Sequence, residues 1–330
     1  MSVRGRIAHT EPRIHLDAAA EFASDVRYYL GLAPRQLPSR YLYDALGSAL
    51  FDAICELPWY AIPHAEAQLL SEHRDDVFTA LGRVRTIVEL GPGRGEKLLA
   101  LLEARPPQAE ILTIHLVDIS RAALTASARA LGGLEDIEIV THEAPYEVGL
   151  EDLGRSSRAG GVTLALFLGS NIGNFDRPGA EAFLRTIRAA LVPGDAILLG
   201  ADLVKPEQDL LLAYDDPLGV TAAFNRNLLV RINRELGGHF DLDAFDHRAV
   251  WNAPESRMEM HLVARVAHRV RIDGADLEID FGEGEPIWTE SSYKYQPEDV
   301  VDLVERAGFT CLAQWIETSA SFALSLFQAR

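Results

Sequence analysis

The segment VELGPGRGEK, Val88 to Lys97, constrains the fold more than any other part of the 330-residue chain. An apolar run, TIVEL, leads into Gly91, Gly93 and Gly95, and a helical pattern, KLLALLEA, leads out. Glycines at a strand-to-helix turn let the backbone pass close beneath a ligand where a Cβ would collide. Open α/β sheets bind ligands at that carboxyl end of their strands. A tight structural turn uses the same residues, so the weight comes from the strand before and the helix after.

The alternation continues from Ile87 to Leu199. ILTIHLVD, the helical SRAALTASARAL, IEIVTHEA, LALFLG, the helical AEAFLRTIRAALV and AILLGADLV follow in turn, the pattern of a doubly wound parallel sheet. Further on, PEDVVDLVERAG has Pro at its start and Gly at its end, as helices do. FTCLAQWIET and SFALSLFQA then predict two strands, the last lying antiparallel at the sheet. That closure, with Gly-x-Gly-x-Gly in place of Gly-x-Gly-x-x-Gly, favours S-adenosylmethionine over a dinucleotide as ligand. The expected class is α/β: a Rossmann-like class I S-adenosylmethionine methyltransferase sheet, residues 81–205 with 296–330. Residues 1–80 form an N-terminal helical segment, and residues 206–295 an inserted α+β substrate lobe. Within the insert, LLLAYDDPLGVTAAFNRNLLVRINREL reads as helix broken at Pro217-Leu218-Gly219. RMEMHLVARVAHRVRI reads as one long extended run, joined to LEIDF by a hairpin at Asp273-Gly274. The helical segment and the insert are expected to wall the donor pocket.

A net charge of −18 works against nucleic acid or an anionic membrane as partner, since both need a basic face. Cys55 and Cys311 stand far apart, which excludes a disulfide scaffold or zinc site and points to a reducing cytoplasm. The opening MSVRGRIAHTEPRIHLD has basic residues but no apolar run after them, so it does not read as a secretory signal. No stretch approaches about 18 unbroken apolar residues, the length of a spanning helix.

Asp118 ends the second strand of the alternation, where a carboxylate can accept from both ribose hydroxyls. The same position suits an Asp that closes a turn with Ser120. Glu89 and Lys97 flank the glycine turn; each can orient the methionine end of a donor or form a scaffold salt bridge. His115 and His142 lie near the ligand edge, where a lone histidine is more often structural. No histidine cluster has metal-ligand spacing, and methyl transfer from a sulfonium needs placement rather than a metal.

From about Leu37 onward, RYLYDALGSALFDAI, ELPWYAIPHAEAQLL, VELGPGRGEK, FLGSNIGNF, AYDDPLGVTAAFNRN, RINREL, FDLDAFDH, RMEMHLVAR and WTESSYKY together give the chain a close resemblance to a known family. It resembles the histidine-specific Nα-methyltransferases that make hercynine for ergothioneine biosynthesis. The resemblance implies that Tyr43 and Phe51 are donor-side contacts, which join Gly91, Gly93 and Lys97 from the turn and Asp118 from the second strand in the donor set. It implies that Tyr60 faces the substrate ring and that Gly169 and Asn174 hold the substrate amine and carboxylate. Tyr214 is implied as a second carboxylate partner, Met260 as a wall of the side-chain pocket, and Glu290 and Ser292 as the pair reading the imidazole. Tyr60, Asn174 and Tyr214 are the candidates for a direct part in catalysis.

Elementary chemistry is consistent with these roles. Amide and phenol donors suit a carboxylate; Glu290 suits an imidazole N–H, and Ser292 can serve the other nitrogen. On pattern alone, Tyr60 and Tyr214 would also pass as core aromatics, Met260 as packing, and Glu290 and Ser292 as one solvated strand face. The chain departs from the family at Gly95, where Ser or Thr is commoner, at Trp59 and Ala61 around Tyr60, and at HEAPYE. There Pro145 cannot supply the family's adenine-side acid, and Glu143 is the substitute in the cofactor set.

The expected activity is three successive methyl transfers from S-adenosylmethionine to the α-amine of L-histidine by a cytoplasmic monomer with no metal. The alternatives are the same fold acting on another amino acid or amine, a nucleotide-dependent dehydrogenase, and a binding module without turnover.

Overall fold

The computed structural model describes residues 6–9, 18–106, 110–155 and 160–330. No helix among them is long and apolar enough to cross a membrane. The chain forms two compact units from discontinuous segments: Met1–Arg13, Ile62–Val204 and Lys294–Arg330 in one, Ile14–Ala61 and Lys205–Tyr293 in the other.

The first unit holds an eight-stranded sheet. Its spatial order is Arg6–His9, Ile137–Glu143, Leu112–Asp118, Val84–Leu90, Val162–Phe167, Ala196–Asp202, Phe322–Ala329 and Phe309–Glu317. The first six strands pair parallel, and Phe322–Ala329 runs against both of its neighbours. Strands covered on both faces read as continuous apolar runs, and all seven residues of Ala196–Asp202 are buried. The strand Arg6–His9 extends the sheet beyond what the helical reading of the N-terminal segment provides for.

Helices follow the strands where their caps allow. Ser120 accepts the Ala123 N–H and starts Arg121–Leu131; Asp176 accepts the Gly179 N–H and starts Arg177–Ala190. Ile62–Leu81, expected as part of the separate first segment, belongs to this unit. Its buried Ala65, Leu69, Leu70, Val77 and Phe78 pack the helix against the sheet's Phe309–Glu317 and Phe322–Ala329 end.

The second unit has helices Ala18–Leu30, Ala45–Cys55, Glu207–Tyr214 and Val220–Leu236. A four-stranded sheet follows the order Arg35–Gln36, Pro286–Tyr293, Arg257–Ala264 and Phe245–Asn252. The helix break at Pro217-Leu218-Gly219 is present, with Gly219 at φ +75° and Asp216 accepting from the N–H groups of Leu218, Val220 and Thr221. The long extended run divides at a bend over Arg265 and Val266. Its second half, His268–Ile272, pairs with Leu277–Phe281 in a separate hairpin.

Candidate functional site

In the sheet unit, Gly91, Gly93 and Gly95 all take left-handed φ, at +74°, +55° and +78°. A Cβ on Gly91 would lie 2.7 Å from the Tyr146 hydroxyl oxygen, and one on Gly95 3.0 Å from Ser127 Cα. A Cβ on Gly93 would meet nothing within 4 Å. Gly91 and Gly95 are therefore held by packing as well as by φ, whereas Gly93 faces open space.

Glu89, just before the turn, is 2% exposed, and its Oε2 has no hydrogen-bond partner among the described residues. Burial pushes its carboxyl up to about 8; Glu66 and Asp118 act in the same direction and Lys97 opposes them. Lys97 forms an ion pair with Glu66, which is fully buried on the helix Ile62–Leu81. Of the two sequence readings of Lys97, the scaffold ion pair is present. The partly exposed lysine still stands beside the turn.

Asp118 ends its strand as expected, and its Oδ1 accepts the Ser120 N–H at 2.7 Å. Burial pushes its carboxyl up to about 6. The turn-closing reading is thus realised with one oxygen of the carboxylate. Glu143 sits directly across the register from Asp118 and pairs with Arg121 at 2.8 Å. His115 and His142 contact each other at 2.9 Å, Nδ1 to Nε2, in the interior. Burial, with His142 alongside, pushes His115 down to about 4, so it stays neutral in a structural pair.

After Val162–Phe167 the backbone turns through Gly169 and Ser170, at φ +74° and +58°, into the short helix Asn171–Asn174. The Gly169 N–H donates to both Glu66 oxygens, at 2.8 and 2.9 Å, so what Gly169 retains for an amine is its carbonyl. Asn174 is exposed at the end of that helix.

In the second unit, Tyr43, Phe51, Tyr60 and Tyr214 form one aromatic chain. Centroids lie 5.6 Å apart for Tyr43–Phe51, 6.2 Å for Phe51–Tyr60 and 6.2 Å for Tyr60–Tyr214. Phe224 braces Tyr43 and Phe51 from behind. The Tyr214 hydroxyl donates to Ser292 Oγ at 2.8 Å. Glu290 lies opposite Met260 and Ser292 opposite Met258 on neighbouring strands, so these side chains share a face. A bulge between Trp288 and Glu290 resets the alternation there. His247 Nε2 donates to the Tyr214 carbonyl at 2.8 Å, which leaves Nδ1 to accept from Asn225. Burial holds His247 below the ordinary histidine range, consistent with that neutral tautomer.

Glu66, Phe224 and His247 escaped the sequence reading. Glu66 carried a signal: a charge in helical register with Ile62, Leu69 and Leu70 on an apolar face. Phe224 and His247 have no comparable mark.

Among the described residues no group of three or more His, Cys, Asp or Glu is arranged to hold a metal. The parallel sheet with its one reversed strand, and the glycine turn at its carboxyl end, define a class I S-adenosylmethionine-dependent methyltransferase. The donor fits the residues present. Gly93 leaves space, Glu89 has a buried oxygen without a hydrogen-bond partner among the described residues, and Asp118 presents a carboxylate at the end of the neighbouring strand. The chain matches the profile of the family described as histidine-specific methyltransferase, SAM-dependent, over residues 22–329. It is 44% identical over 313 residues to a histidine N-alpha-methyltransferase of Mycolicibacterium smegmatis, covering 94% of this chain and 96% of that one. A histidine N-alpha-methyltransferase of Mycobacterium tuberculosis is 42% identical over 304 residues, covering 92% and 93%. Ergothioneine biosynthesis protein 1 of Schizosaccharomyces pombe is 27% identical over 302 residues, 87% of this chain and 38% of that one. The chain belongs to the histidine-specific, S-adenosylmethionine-dependent methyltransferase family.

Proposed function

We propose that this protein transfers three methyl groups in succession to the α-amine of L-histidine, giving the trimethylammonium betaine that enters ergothioneine biosynthesis. S-adenosylmethionine supplies an electrophilic methyl group on a sulfonium. On the donor side, the turn through Gly91 and Gly93 lets the protein's main chain approach the donor closely, and Asp118 takes the ribose. Glu89 and Lys97 take the ammonium and carboxylate of its amino-acid end. Glu143, across from Asp118, is the adenine-side acid, and Tyr43 and Phe51 supply apolar donor contacts.

For the acceptor, Tyr60, Asn174 and Tyr214 orient the amino-acid end, with the Gly169 carbonyl accepting from the amine. Met260 walls the side-chain pocket, and Glu290 accepts an imidazole N–H. The observation that carries the reading is the Tyr214–Ser292 hydrogen bond beside Glu290. A serine hydroxyl can accept and donate at once, which suits Ser292 to the unprotonated ring nitrogen. The amine must lose its proton before attack, and tyrosine rings stabilise the cation that develops.

We place the protein in the cytoplasm, a reducing compartment that suits two cysteines outside any disulfide, and read it as a monomer. Calorimetry with L-histidine in the presence of S-adenosylhomocysteine should show binding. Mass spectrometry of a reaction should then show one, two and three added methyl groups on histidine. Turnover of tryptophan or tyrosine with none of histidine would transfer the reading to another amino acid.

A further inference from the structure

We propose that Glu66 is a positioning residue for the methyl donor: anchored on the Gly169 N–H, it pins the Lys97 ammonium where the donor's amino-acid end is held. Glu66 lies on the helix Ile62–Leu81, outside the strand–turn–helix segment that marks the donor site, and it is fully buried. Both of its oxygens accept the Gly169 N–H, and Oε2 pairs with Lys97. Room for the carboxylate comes from a fourth element. A Cβ on Gly200, in the strand Ala196–Asp202, would stand 1.9 Å from Glu66 Oε1.

Two helices, a strand-end turn and an interior strand therefore converge on one carboxylate. A buried ion pair adds little net stability over apolar packing of the same volume, so what the arrangement provides is geometry. Lys97 is a flexible four-carbon side chain that holds no fixed position unaided. Glu66 gives it one, adjacent to Gly169, whose Cβ position lies 3.3 Å from Lys97 Nζ. The inference rests on the reading of Lys97 as a donor contact.

The test uses two ligands: S-adenosylhomocysteine, and 5′-methylthioadenosine, which lacks the amino-acid end. Glu66→Gln keeps the volume but turns an NH2 toward one of two donors, the Gly169 N–H or the Lys97 ammonium. It should weaken S-adenosylhomocysteine about tenfold and leave methylthioadenosine unchanged. Lys97→Ala should show the same selective loss, and the double variant should be no worse than Lys97→Ala alone. If Glu66→Gln does not fold, Glu66→Asp, which keeps the charge but retreats by one methylene, should give a smaller loss with the same selectivity. Equal weakening of both ligands, or additive losses in the double variant, would overturn the positioning role. Lys97→Ala with undiminished S-adenosylhomocysteine affinity would instead sink the reading of Lys97, and the inference with it.

Discussion

A carboxyl group buried as deeply as Glu89 keeps its proton at neutral pH, and a cation that reaches it must displace that proton. Burial puts its folded-state value at about 8, against 4.5 for the exposed group, with Glu66 and Asp118 adding to the rise and Lys97 opposing it. The folded chain thus holds a proton that the unfolded chain releases. This contribution to stability is complete below about 4.5 and is lost as pH rises through 8. Glu89→Gln should accordingly melt about 7 °C above the parent at pH 9 and little differently at pH 5. In the parent, donor binding at pH 7 should release about one proton, seen as a heat that varies with buffer ionisation, and affinity should climb toward pH 8. The variant should bind more weakly and without proton release. An identical proton count in parent and variant would remove Glu89 from the donor site.

At the level of the element, the proposed function puts recognition of the acceptor on the strand Pro286–Tyr293. Ser292→Ala leaves the strand paired but strips the Tyr214 hydroxyl of its acceptor. The KM for histidine should rise about tenfold, as for loss of a hydrogen bond to a polar ligand group, with the donor KM unchanged. A parallel rise in both would mean that the strand only supports the fold. How far such elements can be read in advance depends on whether their signal is local. The buried strands Val84–Leu90 and Ala196–Asp202 are, because continuous apolar runs between turns are a local property. The Pro217–Gly219 break is too, because turn chemistry is local. The bulge before Glu290 is not, since the sequence around Trp288 and Thr289 differs little from regular strand. Nor is the membership of Ile62–Leu81, whose partner strands lie at Phe309–Glu317 and Phe322–Ala329. The same distinction applies to the site. Gly91, Gly93 and Asp118 follow from the strand–turn–helix pattern. Tyr60, Glu290 and Ser292 became candidates through family resemblance, since on pattern alone each passes for packing or surface.

On the scale of the molecule, the chain leaves and re-enters each unit, so neither is built from one uninterrupted stretch. The acidity belongs to this scale as well: a charge of −18 favours solubility. The sheet is finished by the strand that comes last in the order of the chain, and Phe322–Ala329 enters between two others rather than at the rim. Its removal would open the flank of Ala196–Asp202, a wholly buried row with unpaired backbone groups. A chain stopped at residue 320 should therefore be recovered mainly as aggregate, as followed by light scattering. A monodisperse soluble product would contradict this. For a ribosome making this protein, most of the sheet has to wait, tacky and half built, for a segment still to be translated. Chaperone demand should peak in that interval, and a late nonsense codon should be about as harmful as an early one.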